Sequence, residues 1–69
     1  MKLSARNVLK GRVVEVVPGV TTAHVKIAVA GGAVITASIT TEAAQELGLA
    51  VGDEATAVIK ASDVIVGKD

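Results

Sequence analysis

The chain has 69 residues, seven basic and seven acidic side chains, one histidine, no cysteine and no Phe, Trp or Tyr, yet 51% of it is hydrophobic. These numbers exclude a disulfide scaffold, a thiolate or histidine-cluster metal site and the basic excess of a nucleic-acid binder. They leave room for one domain, residues 1–69, and its lone core would be marginal because folding at this size buries only about 60% of the chain's surface.

A core without aromatics must be filled by many small branched side chains, which suit pleated sheets. Val and Ile are more numerous than one small interior needs, so part of the surplus is expected to face other subunits. No apolar run approaches the roughly 18 residues of a membrane span. The N-terminal "MKLSARN" turns polar where a signal peptide would turn apolar. A soluble cytoplasmic protein without a membrane partner is the expectation.

The first element is "LKGRVVEVV", a strand ending at the Pro18-Gly19 turn pair. Valine lies on both faces, with Val13 and Val17 expected on one side and Val14 and Val16 on the other. Such a strand is central in a sandwich or lies at a subunit contact. Next comes "VTTAHVKIAVA". Thr21, Ala23, Val25, Ile27 and Val29 alternate with Thr22, His24 and Lys26, the pattern of a half-buried strand. Gly31-Gly32 then predicts a two-residue hairpin turn that needs positive φ. The third strand is "AVITASIT", with Ala33, Ile35, Ala37 and Ile39 on one face.

A short helix follows in "TTEAAQELGL". Thr40 or Thr41 can cap it, Glu42 sits in its first turn, Ala43 and Leu47 share a face, and Gly48 can end it. "VGD" is a turn, "EATAVIKA" a fourth alternating strand, and "DVIVG" a short fifth one. The expected fold is all-β: a five-stranded OB-like Greek-key barrel with one short helix between strands 3 and 4.

Many barrels of this kind bind single-stranded nucleic acid, but they do so with aromatic platforms and a basic groove. This chain has neither, so no nucleic-acid partner is expected. Catalysis is equally poorly served. A triad would have to use His24, which lies among Thr22 and Lys26 on a polar strand face, and the scattered carboxylates show no acid/base pair. No phosphate-binding glycine loop is present. The protein is expected not to be an enzyme, with no catalytic residue and no metal held directly by side chains.

What remains is a set of hydrogen-bond donors near the two ends of the chain. Ser4, Arg6 and Asn7 stand near the start, and "IKASD" brings Lys60 and Ser62 near the end, with Asp63 the only carboxylate among them. In a barrel of this order the first and fourth strands can be neighbours, so the clusters could meet. A small oxyanion offers only acceptors, and charged donors bind it most strongly. The plainer alternative keeps Arg6, Lys10 and Lys60 as surface charges and Ser4 and Ser62 as turn residues.

At these residues the sequence resembles the molbindin (Mop) family of small molybdate-binding domains. The matching stretches are "SARNVLKGRV", "AGG", "ITTEAAQELGL" and "VIKASDV", in order and over nearly the whole chain. The resemblance implies an OB-like barrel, assembly as a homo-hexamer built as a trimer of dimers, and molybdate or tungstate held at subunit interfaces. Carried onto this chain, one class of site uses Ser4, Ala5 and Arg6 with Lys60, Ala61 and Ser62, joined by Thr40 of a partner. Hydroxyls would come from Ser4, Thr40 and Ser62, and backbone N–H groups from Ala5, Ala61 and Ser62. A second class of site, near the trimer axis, falls to Gly19, Val20, Thr21 and Thr22. Asn7 and Lys10 would support the loop or an interface. Intracellular storage or buffering of the oxyanion is the implied role, and a ligand-free oligomerisation module is the alternative.

Overall fold

The computed structural model describes residues 1–69. Strand β1 spans Asn7–Pro18, β2 Thr22–Val29 and β3 Val34–Thr40; helix α1 spans Thr41–Leu47, and β4 spans Glu54–Ile59. All pairings are antiparallel in the order β3-β2-β1-β4. The result is an OB-like half-barrel whose open side lies between the free edges of β3 and β4.

β1 makes this possible because it serves two neighbours in turn. Its first half, Asn7 to Arg12, pairs with β4, and its second half, Gly11 to Pro18, pairs with β2. The handover occurs at Gly11, opposite both Val29 and Ala55. A Cβ there would run into the Ala28 carbonyl oxygen and lie 2.7 Å from Ile27 Cγ2, so only glycine lets the strands cross this closely.

Just beyond the crossing, Val13 pairs with Ile27 but Glu15 pairs with Lys26, leaving Val14 as the extra residue of a β-bulge. The bulge advances the pleat by one. Val13 is therefore buried and Val16 half-buried against the core, while Val14 and Val17 are exposed. This corrects the expected pairing of Val13 with Val17 and of Val14 with Val16, which assumed unbroken alternation.

In β2 and β3 the alternation holds. Ala23, Val25 and Ile27 are buried, Ile35, Ala37 and Ile39 are half-buried, and the intervening polar residues are exposed. The connection between these strands is three residues, Ala30–Gly32, rather than two. Val29 N–H donates to Ala33 O at 2.9 Å, which closes the loop around a single turn. Gly31 and Gly32 do take positive φ, 87° and 90°.

The helix is capped at both ends. Thr40 Oγ1 accepts from Ala43 N–H at 3.0 Å. Gly48 takes φ 64°, donating to Gln45 O, while Leu49 N–H donates to Ala44 O. That pair of bonds is a Schellman reversal, and it turns the chain inward. Leu49 packs on the core and Ala44 is the buried helix residue, whereas Leu47 stays 69% exposed at the rim of the open side. The expected Ala43–Leu47 face is thus displaced by one residue and by the reversal.

The core proper is small: Val13, Val25, Ile27 and Ala57, with only six residues of the chain buried. The expected fifth strand does not form within the chain. Lys60 leads into a single 3-10 turn, Ala61–Asp63, held by Asp63 N–H to Lys60 O and Val64 N–H to Ala61 O. Beyond it Val64, Ile65 and Val66 are 49%, 95% and 88% exposed, and no strand pairs with them. A strand needs a ladder partner, and the turn carries this segment away from both free edges. The observed count is four strands. No helix is long and apolar enough to cross a membrane.

Candidate oxyanion site

The antiparallel register of β1 and β4 decides where the two donor clusters go. Asn7 lies opposite Ile59, so the residues just before β1 and those just after β4 emerge side by side. Ser4, Ala5 and Arg6 therefore neighbour Lys60, Ala61 and Ser62 at one pole of the half-barrel. Asn7 ties the two together: its Nδ2 donates to Ile59 O at 3.2 Å across 52 positions of sequence.

The donors at this pole are uncommitted. No backbone N–H of Ser4, Ala5, Arg6, Lys60, Ala61 or Ser62 donates to another group of the chain. The chain's ion pair is Lys26–Glu15 at 3.3 Å, and neither Arg6 nor Lys60 has a carboxylate partner. All six residues are exposed except Ala5, which is half-buried. Two cations, two hydroxyls and a run of free N–H groups make a donor-only surface suited to an anion with acceptors on every side.

Thr40 lies elsewhere. It is opposite Thr22 at the far end of β2, where Ala23 pairs with Pro18 at the other end of β1. The length of β1, roughly 40 Å of strand at about 3.3 Å per residue, separates the two poles. Within one chain Thr40 does not join the Ser4–Arg6 and Lys60–Ser62 cluster. Its hydroxyl oxygen already accepts the helix-capping bond, which leaves the hydroxyl proton free to donate outward.

Gly19 to Thr22 form the turn between β1 and β2, on the Thr40 side. Gly19 N–H donates to Thr22 O at 2.9 Å, and Val20 is fully exposed. Thr41 holds the turn from the helix: its hydroxyl donates to Gly19 O and its N–H to Thr21 O, both at 2.9 Å. Thr41 is the positioning residue that sequence reasoning missed, since "TT" before a helix reads only as a choice of cap. Arg12 was likewise unassigned. Its guanidinium donates to Gly52 O at 2.7 Å, and it lines an open polar concavity of about 650 Å³ with Lys10, Glu54 and Thr56.

The TOBE domain family matches residues 3–66, which makes the half-barrel one of these small domains. Molybdenum-pterin-binding protein 1 of Clostridium pasteurianum is 50% identical over 66 residues, covering 96% of this chain and 97% of that protein. A molybdate-binding protein from Sporomusa ovata superposes with a TM-score of 0.91 at 37% identity, over 99% of this chain and all of that one. The cytoplasmic molybdate-binding protein ModG, solved with molybdate bound, gives 0.90 at 51% identity, over 94% of this chain and 46% of that one. The chain belongs to the molbindin (Mop) family.

Proposed function

We propose that this chain binds molybdate, or tungstate, between copies of itself, and that it stores or buffers the oxyanion in the cytoplasm. The observation that carries the reading is the Asn7–Ile59 register, which sets two unpaired donor segments side by side. Arg6 and Lys60 supply charge. Ser4 and Ser62 donate through hydroxyls, and Ala5, Ala61 and Ser62 through backbone N–H groups. Thr40 of another copy completes the shell, because the fold holds each chain's own Thr40 at the opposite pole. A tetrahedral dianion fits a site with donors alone. The smaller sulfate would leave some of those donors out of reach, which gives the site its selectivity.

Gly19, Val20, Thr21 and Thr22 are assigned to a second class of site near the axis of a hexamer arranged as a trimer of dimers. The tight turn and its brace from Thr41 support that assignment by fixing the backbone of these residues. The binding role needs no catalytic group. Residues 1–69 act as a single domain, with neither a nucleic acid nor a membrane as partner.

Isothermal titration with molybdate, paired with native mass spectrometry, tests the reading. Each charged donor bond is worth about 1.5–3 kcal/mol, so Arg6→Ala and Lys60→Ala should each weaken binding about ten- to a hundredfold while the oligomer mass stays unchanged. Unaltered affinity in both variants would overturn the site. No heat and no thermal stabilisation of the wild type at millimolar molybdate would leave a ligand-free oligomerisation module in its place.

A further inference from the structure

We propose that the C-terminal arm, Val64 to Gly67, crosses to a second copy and fills the open side of its half-barrel, each copy giving its arm and receiving one.

Two features of the same chain complement each other. One is the opening between the free edges of β3 and β4, an apolar groove of about 720 Å³ whose walls include Ile35, Ala37, Ile39, Ala55, Ala57 and Ile59. The other is the arm itself, with Val64, Ile65 and Val66 exposed and without a ladder partner. The groove lacks a strand, and the arm is a strand-forming sequence that lacks a sheet. No arm residue lines the groove of its own chain. The 3-10 turn at Ala61–Asp63, fixed by two backbone bonds, directs the arm outward, and short constrained connections of this kind favour exchange over folding back.

The exposed area fits a second copy. A folded chain of 6.9 kDa is expected to expose about 4,000 Å². This one exposes 5391 Å². The excess, about 1,400 Å² per chain, doubles in a reciprocal pair to about 2,800 Å², within the range of obligate interfaces. Valine and isoleucine at consecutive arm positions also make sense only if both faces of the arm are covered, one by the groove and one by its own copy.

The inference deepens the proposed function, on which its last step rests. Ser62 lies two residues before Val64. An arm entering the groove from the Thr40 end of β3 brings Lys60–Ser62 of one copy to Thr40 of the other.

The absence of cysteine permits a clean test. Ala37 of the groove wall is changed to cysteine together with either Ile65 or Val66, which covers both faces of the arm. The full-length double variants A37C/I65C and A37C/V66C are oxidised and run on non-reducing gels, and residue-resolved hydrogen exchange is measured on the wild type. The expected result is covalent dimer from one of the two variants, and Val64–Gly67 amides exchanging at least a hundredfold more slowly than unstructured chain. An intrachain disulfide, or a wild-type oligomer whose arm amides exchange at unstructured rates, overturns the exchange. Molybdate titration of the same wild-type sample separates the two readings. Binding with an unprotected arm removes the exchange alone, and a protected, cross-linkable arm without binding removes the oxyanion function alone.

Discussion

Gly11→Ala is the sharpest test of how this fold positions its site. The added Cβ would collide with the Ala28 carbonyl oxygen and lie 2.7 Å from Ile27 Cγ2 and 3.0 Å from Val29 Cγ1. The side-chain contacts can yield by rotamer changes. The carbonyl belongs to the β1–β2 ladder and can move only if the strands part. Overpacking of this kind costs about 1–3 kcal/mol, with a backbone obstacle at the upper end. Against this stands a gain of about 0.4–1 kcal/mol from the stiffer unfolded chain. The net loss is about 2 kcal/mol, a large part of the roughly 3–10 kcal/mol available to a domain of this length. At about 4–8 °C per kcal/mol, the melting midpoint should fall by roughly 8–16 °C. Circular dichroism melts at one fixed protein concentration measure it. Gly31→Ala is the control, since nothing lies within 4 Å of its added Cβ and only its φ of +87° opposes the change. A Gly11→Ala protein melting within 2 °C of the wild type would falsify the crowded crossing as the device that lets β1 serve both neighbours.

Asn7→Ala removes the bond to Ile59 O; stability should drop by about 1 kcal/mol in urea titration, and molybdate affinity should fall without loss of oligomer mass. Thr40→Val removes both the helix cap and the outward hydroxyl, so it should cost about 0.5–2 kcal/mol in melts and weaken binding by calorimetry, whereas Thr40→Ser should restore both. Glu15→Gln breaks the Lys26 pair, but both side chains are about half exposed, so the change in stability should stay under ~0.5 kcal/mol and shrink further in high salt.

Sequence legibility followed the geometry of each element. β2, β3 and β4 show clean alternation because each turns one face inward, and a period of two survives on such a strand. β1 hid its phase. Its bulge at Val14 leaves no compositional trace among four valines, so strict alternation sorted Val16 and Val17 onto the wrong faces. The helix is only seven residues long, and its inward contact was decided by the Gly48 reversal that brings in Leu49, not by a helical stripe. "DVIVG" reads as a strand because its residues favour one, but pairing depends on an edge, and residue type says nothing about whether that edge lies in the same chain. The candidate site was legible as chemistry, since Arg6, Lys60, Ser4 and Ser62 are donors whatever the fold. Their adjacency depended on the β1–β4 register, and the removal of Thr40 to the other pole depended on the length of β1.

The Asn7–Ile59 tie also fixes when the donor pole comes into being. Its two walls are drawn from the first and last tenths of the sequence, joined across 52 positions. Closing so large a loop is entropically the most demanding step the chain faces, and non-local pairings of this kind form late. On the ribosome, no such pole can exist until nearly the whole polypeptide has emerged, because Lys60, Ala61 and Ser62 are among the last residues made. A nascent or truncated chain is therefore blind to the anion, and ligand capture begins only with finished molecules.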